Sequence, residues 1–163
     1  MYKYIIPSKG AHIAAWLANE LQFRLLIAGP LRDKEYFERF IKPQLGKYVE
    51  YLGEVEERKK RELLARARAM LFPVLREEFF GLNVIEALAC GTPVIALSKG
   101  AMSELILHGK VGFLAHSLQE FAKFIKEVDK LDPEYCRAYA LQRHSAESMA
   151  FRYMKLYRLI SKP

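Results

Sequence analysis

Short apolar runs alternate along this chain with segments in which apolar residues recur every three or four positions. Short apolar runs predict strands, and recurrence at helical spacing predicts amphipathic helices. The predicted strands are residues 2–6, 23–28, 48–52, 69–74, 93–97 and 112–115. The predicted helices are residues 10–21, 33–45, 56–67, 82–90, 102–107 and 118–131, followed by two more near 133–142 and 145–161.

This alternation predicts β-α-β units and a parallel sheet. The strands are almost continuously apolar, which is typical of strands whose two faces are both covered by helices. We therefore expect an α/β fold with a doubly wound, mostly parallel sheet of about six strands and helices on both faces. Trp16 lies on the apolar stripe of the first helix with Ile13 and Leu17, so we expect it in the core. The chain length fits one domain over residues 1–163, without a repeat or a linker.

Composition excludes several classes of protein. Hydrophobic residues make up 52% of the chain, too many for a disordered protein. No apolar run approaches the roughly 18 residues of a membrane span, and the first residues do not resemble a signal peptide. Cys90 and Cys136 cannot form a disulfide framework, and neither belongs to a spaced Cys/His pair that would hold zinc. We expect a cytoplasmic protein.

The net charge of +7 favours acidic partners such as phosphates, nucleic acid or an anionic membrane surface. Residues 56–62 mix both signs of charge, and we interpret them as the solvated face of a helix. No basic motif with interleaved aromatic residues supports nucleic-acid binding, so we expect no such partner. The apolar and basic helix at 145–161 leaves three alternatives open: coverage of its own core, contact in a homodimer, and peripheral contact with a membrane.

Candidate chemistry follows the predicted strand 69–74. Ligands of doubly wound sheets bind outside the carboxyl ends of the strands. Glu78 lies in the loop after this strand, and Glu86 lies about one turn inside the next helix. Gly81 would let a ligand approach the backbone, and the helix start behind it offers N–H groups suited to a phosphate. Two carboxylates can accept hydrogen bonds from sugar and ribose hydroxyls, so the pattern fits a nucleotide-sugar site. The simpler interpretation is a helix cap and a solvated face.

A dehydrogenase is excluded by the turn after the first predicted strand. Its fingerprint needs Gly-x-Gly-x-x-Gly after the first strand, and only Gly10 stands there.

Residues 78–95, EFFGLNVIEALACGTPVI, resemble the signature of the retaining GT-B glycosyltransferases of the group 1 family. That signature has two glutamates separated by seven residues and then a Gly-Thr-Pro-Val-Ile strand. Other segments resemble the family in the same order, so the resemblance covers nearly the whole chain. They are Lys9–Gly10, residues 26–30, residues 49–55, Gly100, Glu104, Gly109 and residues 112–114.

The resemblance implies one Rossmann-like half of a GT-B fold, the C-terminal domain that binds the donor. The N-terminal acceptor domain of the family has no counterpart in residues 1–163. The implied reaction transfers a hexose from a nucleoside-diphosphate sugar, of UDP or GDP type, to an acceptor hydroxyl with retention of configuration. It uses no metal and no other cofactor. Two alternatives stay open: a non-catalytic module that binds nucleotide sugars, and the donor half of a split enzyme that needs a partner carrying the acceptor domain. The sugar, base and acceptor stay open as well.

The resemblance also assigns roles to residues. Glu78 would contact the donor hexose as the catalytic carboxylate, Glu86 the ribose hydroxyls, and Lys9 the diphosphate. The backbone amides of Gly81 and Leu82 would meet the diphosphate or the sugar. Further donor-binding positions are Gly29, Gly53, Val55 and Phe80.

One departure concerns the diphosphate. The family usually has an arginine five or six residues before its lysine, where this chain has Tyr4 and Lys3. A charge-assisted hydrogen bond contributes about 1.5–3 kcal/mol, so its loss would lower diphosphate affinity by roughly ten- to a hundredfold. Lys3 would compensate only in part, because an ammonium cannot bind a phosphate bidentately.

Overall fold

The fold is that of a computed structural model, which describes residues 4–161. Within this range five strands are present: β1 (Leu25–Ile27), β2 (Val49–Tyr51), β3 (Met70–Phe72), β4 (Val94–Leu97) and β5 (Gly112–Ala115). The α-helices are α1 (Ala11–Leu21), α2 (Lys34–Tyr36), α3 (Glu57–Ala65), α4 (Leu82–Ala89), α5 (Met102–Leu105), α6 (Leu118–Glu127), α7 (Pro133–His144) and α8 (Ala146–Ile160). Short 3₁₀ turns lie at Pro7–Lys9, Lys42–Gln44 and Val128–Lys130, and a π-turn lies at Phe37–Ile41.

All pairing between these strands is parallel, which confirms the predicted α/β architecture. β1 pairs with β2, with Leu25 opposite Val49. β4 pairs with β3 on one side and with β5 on the other. The residues described thus contain five strands in two sheets, fewer than the six expected in one.

The predicted strand 2–6 accounts for this difference. Residues 1–3 lie outside the described part of the chain. Ile5 forms an isolated parallel bridge with Leu31. The 3₁₀ turn at Pro7–Lys9 then ends the extended backbone, because proline fixes its own φ near −65° and has no N–H to donate.

Helices cover both faces of the strands. On one face, the core joins α1 and α6 with residues of both sheets, and Phe121 of α6 is completely buried there. On the other face, α4 and α7 pack over β3, β4 and β5, with Phe72 and Leu88 in the centre. Because Leu71 and Ile95 of the second sheet belong to the first core cluster, the two sheets share one continuous core.

Two expectations about helices are wrong. Residues 33–45 do not form one helix: α2 begins where Asp33 accepts a hydrogen bond from the Tyr36 N–H, and the π-turn and a 3₁₀ turn with Pro43 follow. Trp16 is 47% exposed. The buried arc of α1 includes the small residues Ala14 and Ala18, which allow close packing, and Trp16 lies on the opposite side.

Helix α8 stands apart from the core. No residue of this helix is buried, Phe151 and Leu159 are exposed, and α7 is the main element against which it packs. The expectations of a homodimer contact and of peripheral membrane contact for this segment stay predictions. Among residues 4–161 no helix combines the length and the apolar character needed to cross a membrane.

We expect His12 to make the stability of the fold depend on pH. Its Nδ1 lies 2.6 Å from the Tyr36 hydroxyl, and burial lowers the pKa of His12 below its ordinary value of 6.5. The unfolded chain therefore binds the proton more readily, and stability falls as the pH drops through about 6.5 towards the lower folded pKa. Thermal unfolding between pH 7.5 and 5 should show this loss, and His12→Gln should make the slope shallower.

His144, whose pKa is also lowered by burial, provides the comparison. His144→Gln should also make the dependence of stability on pH shallower, by the contribution of His144 alone. An unchanged slope in the His12 variant would contradict the expectation.

Candidate functional site

An ion pair lies at the carboxyl end of β3. The Lys9 Nζ and the Glu78 Oε2 are 2.7 Å apart, and the two side chains are 8% and 17% exposed. The predicted phosphate-binding cation and the predicted hexose-contacting carboxylate are therefore neighbours of opposite charge. In this environment the pair interacts more strongly than an exposed pair would.

Lys9 is brought there by the residue after it. Gly10 has a φ of +71°, and a Cβ at this position would lie 1.9 Å from the Pro73 carbonyl oxygen. No side chain fits between the start of α1 and the end of β3. The Leu75 N–H also donates to the Ser8 carbonyl over 2.9 Å, so residues 8–10 are fixed against the loop that carries Glu78.

The Glu78 loop is held from a second side by Gly100 and Ala101. The Ala101 N–H donates to the Glu78 carbonyl over 2.8 Å, and the Gly100 N–H donates to the Glu77 carboxylate. Gly100 has a φ of +53°, and a Cβ there would lie 2.3 Å from the Glu78 carbonyl oxygen. Glu77, Gly100 and Ala101 thus form a clamp that orients Glu78.

Gly81 and Leu82 form the entrance to α4. Gly81 is buried with a φ of +92°, and a Cβ there would lie 2.7 Å from the Met102 Cε. Leu82 begins α4 and is exposed, as is Phe80 before it. Because the first N–H groups of a helix lack acceptors within the helix, this entrance can donate hydrogen bonds to an anion.

Glu86 is held one turn further along α4. Its Oε1 accepts a hydrogen bond from the Lys60 Nζ over 3.1 Å, whereas its Oε2 is buried and has no hydrogen-bond partner among the described residues. A buried carboxylate oxygen without a donor is unfavourable. Glu86 therefore has one oxygen fixed by the protein and one able to accept a hydrogen bond from a ligand.

Lys60 corrects the interpretation of residues 56–62 as a solvated face. It is 8% exposed and bridges Glu86 of α4 to Glu57, 2.7 Å away on its own helix. Burial alone would lower the pKa of Lys60, but hydrogen bonds to both glutamates outweigh it and raise the pKa above its ordinary value. The ammonium stays charged. Nothing in the sequence distinguishes Lys60 from its neighbours Lys59 and Arg61, so this residue was missed.

The remaining predicted donor-binding positions are Gly29, Gly53 and Val55. Gly29 and Gly53 meet at the ends of β1 and β2, where the Gly29 N–H donates to the Gly53 carbonyl over 2.7 Å. Val55 and Lys60, the partner of Glu86, line the same cavity. Tyr4 is exposed, and the Arg32 guanidinium lies 5.1 Å from the centre of its ring. A cation that the sequence did not indicate, Arg32, thus lies beside the position where the family has arginine.

Within residues 4–161 no cluster of three metal-binding side chains is present.

The family model described as glycosyl transferases, group 1, matches residues 9–130. The D-rhamnosyltransferase WbpZ of Pseudomonas aeruginosa is 33% identical over 119 residues, which are 70% of this chain and 30% of that protein.

Two solved structures have the same fold. AviGT4, a glycosyltransferase involved in avilamycin A biosynthesis, superposes with a TM-score of 0.81 at 28% identity over 98% of this chain and 49% of that chain. HepE of Anabaena, solved with UDP and glucose, superposes with a TM-score of 0.82 at 24% identity over 99% of this chain and 47% of that chain. The chain spans about a third of the length of the curated relatives it matches and about half of these structures. The predicted resemblance to one domain of a GT-B glycosyltransferase is thereby confirmed.

We expect Gly100→Ala to displace Glu78, whereas Gly109→Ala does not. Both glycines have a positive φ, so alanine adds roughly 1–2 kcal/mol of backbone strain at either position. Only Gly100 faces the backbone of Glu78, since nothing lies within 4 Å of a Cβ at Gly109. Chemical denaturation should show a larger loss of stability for Gly100→Ala. Amide exchange at residues 77–81 should rise in that variant alone. Equal effects of the two substitutions would contradict the clamp.

Proposed function

Since the chain belongs to the family of group 1 glycosyl transferases, we propose that it is the donor-binding domain of a hexosyltransferase. The substrate is a nucleoside-diphosphate sugar of UDP or GDP type, and the hexose passes to an acceptor hydroxyl. The observation that carries this proposal is the arrangement around α4. Buried Lys9 pairs with Glu78 in the loop that leads from β3 to α4, and one turn inside α4 the Glu86 carboxylate has one oxygen without a hydrogen-bond partner among residues 4–161.

The order of these groups matches the order of groups in such a donor. The Glu86 Oε2 accepts from a ribose hydroxyl, and the α4 entrance and Lys9 face the diphosphate. Glu78 faces the sugar. Gly29, Gly53 and Val55 belong to the nucleoside side, and Val55 lines a cavity together with Lys60. The UDP and glucose bound by HepE support this assignment through the shared fold alone.

Lys9 must change partners when the donor binds. Its ammonium donates to the Glu78 carboxylate over 2.7 Å. A diphosphate brings stronger negative charge, and the ammonium can move to it while Glu78 turns to the hydroxyls of the hexose. In the reaction, Lys9 and the α4 entrance stabilise the charge that develops on the leaving diphosphate as its bond to the sugar breaks.

Retention of configuration is part of the proposal, supported by the resemblance of residues 78–95 to the retaining members of the family. The acceptor hydroxyl is bound outside residues 4–161, by an acceptor domain or a partner that carries one. A chain that binds the donor but transfers nothing when an acceptor domain is supplied would instead be a non-catalytic binding module.

We expect the Glu86 oxygen to distinguish ribose from deoxyribose. A site that pairs a buried acceptor with a hydroxyl rejects an analogue without that hydroxyl. Calorimetric titration should show tighter binding of UDP or GDP than of its 2′-deoxy form. Glu86→Ala should weaken the ribonucleotide and remove the difference. Lys60→Met should weaken ribonucleotide binding and reduce the difference by a smaller amount, because Glu86 loses the cation that holds its Oε1.

Lys59→Met is the matched control, since Lys59 is exposed on the same helix. It should leave nucleotide binding unchanged. Equal affinity for both nucleotides in the unsubstituted chain would contradict the role of Glu86.

We expect Glu78→Gln to strengthen the binding of the nucleoside diphosphate, because it releases Lys9. The same substitution should remove the preference for the sugar conjugate, because Glu78 no longer accepts from the hexose. The double variant Lys9→Met with Glu78→Gln should bind the diphosphate roughly tenfold or more weakly than Glu78→Gln, since a charge-assisted hydrogen bond contributes about 1.5–3 kcal/mol. Glu20→Gln, an exposed change at the other end of α1, is the control. Unchanged affinities in all variants would overturn the proposed site.

A further inference from the structure

A cavity of about 390 Å³ lies between the start of α1 and the segment that follows β1. We call it the α2 cavity, and its lining includes Pro7, His12, Glu35, Arg39, Phe40 and Leu75. Its volume is in the range of pockets that bind small organic ligands. The proposed donor site uses none of these residues.

The α2 cavity adjoins the candidate site through the backbone. Pro7 shares a 3₁₀ turn with Lys9, and Leu75 precedes Glu78 by three residues. The Leu75 N–H donates to the Ser8 carbonyl over 2.9 Å, so these two segments of the cavity wall are joined. A ligand in the cavity would therefore lie next to the segments that carry the groups proposed to meet the diphosphate and the hexose.

Three aromatic rings pack together along the cavity. The centre of the Phe40 ring lies 5.7 Å from that of Tyr36 and 6.2 Å from that of His12. Tyr36 is buried, whereas Phe40 is 45% exposed. Phe40 belongs to the π-turn Phe37–Ile41, and π-turns are frequent at functional sites. An exposed ring packed against two others offers a flat apolar surface to the C–H face of a sugar ring.

His12 provides a hydrogen-bond donor beside this surface. The Tyr36 hydroxyl accepts from the His12 backbone N–H over 3.2 Å, and the His12 Nδ1, 2.6 Å away, is an acceptor for the hydrogen of this hydroxyl. Burial lowers the pKa of His12, which keeps the imidazole neutral near pH 7 with its hydrogen on Nε2. The Nε2–H can therefore donate to a ligand.

Glu35 and Arg39 provide charged groups that the protein leaves unpaired. They are four residues apart, a spacing at which opposite charges pair on a helix. Neither takes part in a salt bridge among residues 4–161, and the Arg39 guanidinium lies 5.3 Å from the centre of the Phe40 ring. With Asp33, the lining carries two carboxylates and one guanidinium. Because its net charge is negative, the cavity disfavours an anionic ligand such as a phosphate.

We propose that the α2 cavity binds a neutral sugar unit of a glycan acceptor. Phe40 packs against the sugar ring, and Glu35 accepts from its hydroxyls. Arg39 and the His12 Nε2 donate to the hydroxyl oxygens. Donors and acceptors beside an aromatic surface match a sugar, because its hydroxyls both donate and accept while its C–H groups are apolar.

The role of this sugar as part of the acceptor rests on the proposed function. The reacting hydroxyl belongs to a neighbouring unit of the same glycan, bound outside residues 4–161. The binding of a saccharide in the α2 cavity does not depend on the donor, so it can be measured separately.

Titration with neutral disaccharides tests this inference. Maltose, cellobiose and α-1,2-mannobiose are added without nucleotide, and amide shifts in NMR spectra should change at His12 and residues 35–40. Phe40→Ala should weaken binding by roughly three- to tenfold. Phe40→Trp should bind as well as the original chain, because the aromatic surface is kept. Glu35→Gln should weaken binding, because a charged acceptor makes the stronger hydrogen bonds.

Two substitutions are matched controls. Phe151→Ala removes an exposed aromatic ring on α8, and Glu38→Gln removes an exposed carboxylate in the same π-turn as Phe40. Neither should change disaccharide binding.

UDP and GDP are titrated in parallel, and their affinities should be the same in Phe40→Ala as in the original chain. Disaccharide binding without nucleotide binding would support the sugar site and contradict the proposed function. Binding of none of the three disaccharides, or binding that Phe40→Ala leaves unchanged, overturns the inference. Displacement of the disaccharide by inorganic phosphate also overturns it, because the cavity would then be an anion site.

Discussion

The start of α1 lies so close to Pro73, just after β3, that only a glycine fits at position 10. Gly10 leaves no room for a Cβ above the Pro73 carbonyl, and this contact determines where Lys9 can reach. With Lys9 fixed, its ammonium meets Glu78, and the loop after β3 is held between residues 8–10 on one side and Gly100 on the other. The candidate site is therefore built where three chain segments approach too closely for side chains, which explains why glycines border it.

Much of this arrangement could be predicted from the sequence. The alternation of strands and helices predicts parallel pairing, and the spacing of Glu78 and Glu86 predicts that both lie near the start of α4. The glycines at positions 10, 81 and 100 each have a positive φ, which residues with a side chain rarely adopt. Local pattern and backbone conformation agree at these positions.

Other features depend on contacts between distant segments. Lys60 belongs to a run of mixed charges and is selected only by the position of α4 relative to α3, which no local pattern encodes. Trp16 follows the helical period, but the packing face of α1 is chosen by its alanines. The division of residues 33–45 depends on an Asp33 cap and on Pro43, two local signals that compete with the helical period.

Helix α8 differs from the core helices in its local stability. A 15-residue helix is marginal in water by itself, and α8 buries no residue of its own. The core helices α4 and α6 lose their structure only when the whole domain unfolds, whereas α8 can fray from α7 while the site stays intact. A protease that cuts after Arg152 or Lys155 would thus sample local opening of α8, and the trimmed product would keep its fold. A surface that covered the apolar side chains of α8 would therefore stabilise this helix in its position against α7.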